Sequence, residues 1–431
     1  MRTQPRHGSF KDSGIEWIGQ VPGHWEIRRN LGLFEERKEV NRPDLDLLSV
    51  TIERGVVRQD EITAKKDSSN EDKSKYKVVR KGDLAYNKMR MWQGAIGVSD
   101  YDGIVSPAYI ILNTRDKLYA RYFHYLYRTE MFIAEANRHS YGLCSDMNSL
   151  RYEDFKTIYS PFPPRDDVER ILIFLDPKTA EIDEAIAKKQ RLIELLKEKK
   201  GILINQAVTK GLNPNVPMHD SGVEWIGEIP ASWTTCKLKH SVKFVSGGTP
   251  SKENKSFWGD EVPWVSPKDM KVKYISDSID KITHRAVKMT NLKLLQPGCV
   301  LIVVRGMILA KKIPVALTMV PATINQDMKA ILPSEGLNPT YLMFLLDSLH
   351  DQLSTVLEES GHGTKTLPTD QLGLFTLPVP SLGEQKAIVS HVRKLDTAFN
   401  ETTSIIEGQI EQLAAFRNTL IAEAVTGKIR I

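Results

Sequence analysis

The chain has 431 residues, of which 41% are hydrophobic and 26% charged, and its formal net charge is +5. This composition fits roughly two to three globular domains of ordinary size; no apolar run approaches the ~18–20 residues of a membrane span, and the opening MRTQPRHGSFKDSG lacks the apolar stretch of a secretory signal. Three widely spaced cysteines, Cys144, Cys236 and Cys299, fit neither a disulfide framework nor a zinc site and suit a reducing cytoplasm.

Residues 12–25 read DSGIEWIGQVPGHW. A mixed α/β segment follows, with β-branched runs at Leu47–Ile52, Tyr76–Val79 and Ile104–Leu112, a helical stretch at Tyr119–Arg138, and Gly and Pro between them. PFPP at 161–164 closes this first domain, 1–160. Next comes a long helix within 161–212. One seam column holds Leu175, Ile182, Leu196 and Leu203, the other Ile186 and Ile193, at the alternating three- and four-residue steps of a coiled-coil face. Asp176-Pro177 reads as a fresh helix start, with Asp176 as N-cap.

The pattern then repeats. DSGVEWIGEIPASW at 220–233 matches the opening motif at an offset of 208, counted from Asp12 to Asp220. A second α/β domain spans 213–377, and PVPSL leads into a second long helix within 378–431. Its seam runs through Val392, Phe399, Ile406, Leu413 and Leu420, with Ile410 in the other column. Lys200 and Arg417 interrupt the two seams at equivalent places, 217 positions apart. A lone one-faced helix is marginal in water, and each helix has the other as a matching partner. The expected fold is therefore mixed α/β, with two globular domains separated by two antiparallel coiled-coil helices and an approximate internal two-fold. The competing reading makes them ordinary packing helices of separate domains.

Catalytic patterns are weak. PFPPR at 161–165 lacks the leading Asn or Asp of an adenine-methylase motif, and GHGTKT at 361–366 only superficially resembles a phosphate loop. Polar loops that suit DNA are better represented. GDLAYNK leads into MRMWQ, giving Lys88, Arg90 and Gln93; VLIVV leads into RGMILAKK, giving Arg305, Lys311 and Lys312. Arg forks onto guanine and Gln onto adenine. SYGLCSDMNS contributes Tyr141, GGTPSK contributes Thr249, Ser251 and Lys252, and GHGTKT contributes Lys365, all able to donate to phosphates or bases. Arg90 and Arg305 are expected at equivalent strand ends. The tryptophans of the repeated motif, Trp17, Trp25, Trp225 and Trp233, read as packing anchors rather than base-stacking platforms.

The doubled SGxEWIGxxPxxW, GGTPS with VPWVSPKDM, GDLAYNKMR with GIVSPAYIIL, VLIVVRG with TINQDMKAIL, and the PxPxxxEQ helix start together resemble the DNA-specificity subunits of Type I restriction–modification enzymes. The first helix departs from that pattern, opening DDVER where Glu-Gln is expected. The resemblance implies a non-catalytic subunit whose two domains each read half of a split, asymmetric site, and whose helices fix the gap. It implies as partners double-stranded DNA, two methyltransferase subunits and the restriction/translocase subunits, with no membrane role. No cofactor is expected on this chain; S-adenosylmethionine and ATP/Mg belong to the partners. Shared contact with DNA also suits the modest net charge. A pure coiled-coil scaffold and a stand-alone nucleic-acid-modifying enzyme are the alternatives.

Overall fold

The computed structural model describes residues 9–52, 54–62, 73–142, 148–359, 363–429 and 431. It divides into two compact units, residues 1–190 with 407–431, and residues 191–406. The division falls inside both long helices.

The first unit is built on a four-stranded antiparallel sheet in the order Glu35–Glu36, Tyr109–Asn113, Leu84–Asn87, Ile96–Val98. The run 104–112 is two strands, Gly103–Val105 and Tyr109–Asn113, because the Ser106-Pro107-Ala108 turn separates them. The stretch 119–138 is likewise two helices, Lys117–Leu126 and Glu130–Arg138. Thr129 makes the break: its hydroxyl donates to the Leu126 carbonyl at 2.7 Å and caps the second helix by accepting from Phe132 N–H. Phe34, Phe123, Tyr127, Phe132 and Phe155 pack ring against ring between sheet and helices.

The second unit repeats this plan with one strand more. Its sheet runs Val242–Ser246, Met328–Pro333, Val300–Val303, Val315–Thr318, Tyr274–Ile275, with only the last pair parallel. Helix Pro339–Ser348 packs on it, capped by Asn338.

The long helices are Arg165–Lys210 and Leu382–Val425. In the first unit Asp183 faces Arg417 at 2.8 Å and Lys189 faces Gln409 at 2.7 Å. In the second, Lys200 faces Asn400 at 3.0 Å, and Ile204 to Val208 share a core with Ile388 to Val392. Rising numbers meet falling ones in both units, so the pairing is antiparallel. The seam residues Leu175, Ile182, Ile186, Ile193, Leu196, Leu203, Val392, Phe399, Ile406, Ile410, Leu413 and Leu420 are all buried or half-buried.

The expected helix start at Asp176 is corrected. The helix runs unbroken from Arg165 through Pro177. Pro177 is exposed, and so is Ile173, whose carbonyl would have taken the missing amide bond, so water can serve that carbonyl. Asp176 is not a cap; its carboxylate accepts from Tyr125 Oη at 2.8 Å and pairs with Arg121 at 2.9 Å.

The repeated tryptophans are structural. Trp25 Nε1 donates to Asp167 at 2.7 Å and Trp233 Nε1 to Glu384 at 3.1 Å. Asp167 therefore does in the first copy what Glu384 does in the second. The departure lies at the next residue: buried Gln385 joins Gly336, Asn338 and Pro380 by hydrogen bonds, whereas Val168 is simply apolar core.

Candidate nucleic-acid interface

In each unit a central strand ends in a loop held by the same two backbone bonds. After Leu84–Asn87, Lys88 N–H donates to the Ala108 carbonyl at 3.1 Å, and Leu150 N–H donates to the Lys88 carbonyl at 2.9 Å. After Val300–Val303, Val304 N–H donates to the Asp327 carbonyl at 2.8 Å, and Leu367 N–H donates to the Val304 carbonyl at 2.8 Å. Lys88 thus corresponds to Val304.

That equivalence corrects one expectation. Arg90, two residues beyond Lys88, corresponds to Gly306, while Arg305 corresponds to Met89. The arginines sit one residue out of step, because the two strands hand over to differently built turns.

The first turn is compact. Arg90 N–H donates to the Asn87 carbonyl, and Gln93 N–H and Ala95 N–H both donate to the Arg90 carbonyl. Met91–Gln93 forms one 3-10 turn that ends at Gly94, φ +85°. A Cβ at Gly94 would meet only the movable tip of Ile133, Cδ1 at 2.8 Å, so it is the left-handed conformation that favours glycine here. Arg90 is exposed; Lys88 and Gln93 are half-buried. Tyr141 is exposed and bridges to Ser149, next to Leu150. The structure therefore brings Lys88, Arg90, Gln93 and Tyr141 onto connected loops. Residues 143–147 of the SYGLCSDMNS loop, Cys144 included, lie outside the described residues.

The second cluster gathers around Asn325-Gln326-Asp327. Asp327 N–H donates to Asn325 Oδ1 at 3.1 Å, and the Asp327 carbonyl also receives Arg305 N–H at 3.2 Å. Arg305–Gly306 pairs antiparallel with Lys365–Thr366. The GGTPS loop joins from the other side: Gly248 N–H donates to the Ile324 carbonyl at 2.9 Å, and the Thr249 hydroxyl bonds the Gln326 side chain. Trp264 Nε1 and Trp258 Nε1 hold this loop at the carbonyls of Gly248 and Ser251. Thr249, Arg305 and Lys365 are thus assembled on neighbouring backbone segments, with exposed Ser251 and Lys252 further along the loop. Lys311 and Lys312 are exposed beyond the turn Met307–Ala310, and Lys312 pairs with Asp347 at 2.9 Å. Gly361 and His362 of the GHGTKT stretch lie outside the described residues.

Sequence reasoning missed Gln326, Met307 and Ile308. The polar triplet 325–327 between two apolar strands was the available signal for the first. An exposed apolar pair inside a basic loop was the signal for the others.

Residues 230–413 match the family model of the Type I restriction modification DNA specificity domain. The specificity subunit of Type I restriction enzyme EcoR124I/EcoR124II from Escherichia coli is 38% identical over 186 residues, 43% of this chain and 45% of that protein. The Type I restriction enzyme MjaIX specificity subunit from Methanocaldococcus jannaschii is 32% identical over 176 residues, 40% of this chain and 39% of that one. Both alignments cover less than half of those relatives. The putative MjaX specificity subunit of the same organism is 23% identical across 96% of both chains. Among solved structures, a chain from work on complex assembly and conformational transition of the type I R-M system superposes with a TM-score of 0.71 at 15% identity, covering 95% of this chain and 99% of that one. The HsdS subunit from Thermoanaerobacter tengcongensis gives 0.50 at 17% identity, covering 95% and 98%. These two likenesses concern the fold.

Proposed function

We propose that the chain is a Type I restriction–modification DNA specificity protein, as its likenesses support, and that it selects the target sequence for a methyltransferase and restriction complex. The observation that carries this reading is the pair of loop clusters on matching strand ends, held by the same backbone bonds yet carrying different side chains. A duplicated frame with unlike contents suits a split site whose halves differ.

In this reading Arg90 and Arg305 make bidentate base contacts, Gln93 and Gln326 serve as amide readers, and Lys88, Lys252, Lys311 and Lys365 meet phosphates. Tyr141, Thr249 and Ser251 add neutral donors, and Lys312 contributes charge beside its Asp347 partner. The paired long helices set the distance between half-sites. Two methyltransferase subunits and the restriction/translocase subunits dock on this chain in the cytoplasm and supply the chemistry. S-adenosylmethionine and ATP with Mg bind to them, and this chain takes no catalytic step.

The test is to co-purify the chain with its methyltransferase, treat random-sequence duplex, and map methylated adenines by single-molecule sequencing. A split, non-palindromic motif is expected. Methylation without sequence preference, or methyl transfer by this chain alone, would overturn the proposal.

A further inference from the structure

The second loop cluster exposes apolar surface that the fold does not use. Met307 is 73% exposed and Ile308 40%. They follow Arg305 directly after Gly306, whose φ of +143° is a backbone state that side-chain-bearing residues avoid. The corresponding turn of the first domain shows what packing requires. There Met91, which corresponds to Met307, is 0% exposed and anchors the turn to the core. In the second domain Leu309 takes that anchoring role at 1% exposure, and this releases Met307 and Ile308 to the surface. The turn is flanked by Arg305 on one side and by Lys311 and Lys312 on the other, and Gly306 pairs in register with Lys365.

An apolar tip flanked in sequence by the exposed cations Arg305 and Lys311, with Lys312 paired to Asp347 and Lys365 opposite Glu359, matches one feature of duplex DNA. The phosphates complement the cations, and the thymine 5-methyl is the apolar group presented in the major groove. We propose that Met307 and Ile308 read a thymine by its methyl group within the half-site of the second domain. Met is unbranched and polarizable, so it can settle on a methyl without a rigid fit. The lysines hold the tip on the duplex, Arg305 keeps its own base contact, and Met307 with Ile308 adds discrimination at the thymine. This inference rests on the DNA-reading function proposed above.

The experiment uses the full chain assembled with its methyltransferase and duplexes carrying the mapped motif. Each thymine is replaced in turn by deoxyuridine, which keeps the O4 acceptor and removes only the methyl. At one position of the second half-site the replacement should weaken binding about fourfold, the effect of one buried methyl-sized group. Met307→Ala should lose that sensitivity at the same position, and Met307→Leu should retain it. Indifference of the wild type to deoxyuridine at every position would overturn the assignment. So would an equal deoxyuridine penalty in Met307→Ala, or a Met307→Ala defect confined to methyltransferase assembly. If no motif can be mapped at all, the DNA-reading function itself fails, and that result is distinct from a mapped motif that ignores the methyl.

Discussion

The Tyr122 phenol donates a hydrogen bond to the Val425 carbonyl at 2.8 Å, across 303 positions of the chain. Its counterpart Tyr341 donates to the Val208 carbonyl at 2.9 Å. Val425 and Val208 lie in the last turns of the two long helices, where carbonyls have no partner within the helix. Burial raises both phenol pKa values, so each hydroxyl remains a donor. The first domain is therefore closed by the end of the later helix, and the second by the end of the earlier one.

Tyr122→Phe leaves the Val425 carbonyl buried without its donor, a loss of about 2 kcal/mol. Hydrogen exchange should accelerate at Leu84–Asn87 and Lys117–Leu126 while Val300–Val303 stays protected. Tyr341 also bonds the Pro378 carbonyl at 3.0 Å, so Tyr341→Phe should show the reverse pattern at slightly greater cost. Uniform acceleration across both units in either variant would contradict this assignment of helix ends.

The cations that interrupt the two seams have matched partners. Arg417 bonds Asp183; Lys200 bonds Asn400 and pairs with Asp396 at 2.5 Å. Asp183→Ala strands Arg417 and should cost about 1 kcal/mol, since the pair is partly solvated. Replacing Asp183 and Arg417 together with leucine should restore stability or improve on it. Urea unfolding of the single and double variants measures both effects. A double variant no more stable than Asp183→Ala would show that the pair does more than neutralise charge.

The repeat and the helical seams were legible because they depend on pattern alone: nine identical positions in fourteen, and apolar residues at heptad steps. The exchange of helix ends was not legible. A seam shows which face of Ile204 to Val208 is apolar but not which domain will bury it. The step between Arg90 and Arg305 was hidden for a different reason. Both residues follow a strand, and only the bonds at Lys88 and Val304 reveal the register. Pro177 misled because its usual cost assumes a buried carbonyl, and here the carbonyl is on an exposed face.

Gly247 is where the second cluster tolerates least change. A Cβ there would lie 1.9 Å from the Asn325 carbonyl oxygen and 2.4 Å from that of Ile324. Both are backbone atoms that cannot swing aside. Gly247→Ala should cost about 3 kcal/mol and separate Thr249 from Gln326. Specificity should weaken in the second half-site only, as read by motif mapping; an unchanged motif would remove the GGTPS loop from the interface.

Arg305 and Lys311 should behave differently when truncated. A bidentate base contact is worth about 1–3 kcal/mol of discrimination, so Arg305→Ala should relax one position of one half-site. Lys311→Ala should weaken binding to all sequences alike and make the slope of log affinity against log salt shallower by about 1. Arg90→Ala should relax the other half-site. Even losses across every sequence in both arginine variants would make these residues phosphate clamps.

His124 ties the first domain to pH. Burial lowers its pKa to about 3, with Arg128, Arg417 and Arg121 adding to the effect. Val98 N–H donates to His124 Nδ1 at 3.2 Å, a bond the imidazolium cannot accept. The folded pKa lies below the unfolded value near 6.5, so between the two the unfolded chain holds the extra proton. Stability from this residue is complete above about pH 6.5 and declines by ~1.4 kcal/mol per unit as pH falls toward about 3, where it levels off. His124→Gln keeps an acceptor and removes the titration. Between pH 7 and 5 the wild type should therefore lose about 2 kcal/mol more than the variant in urea unfolding of the first domain. Parallel pH profiles would mean that His124 takes up its proton as readily in the folded chain as in the unfolded one.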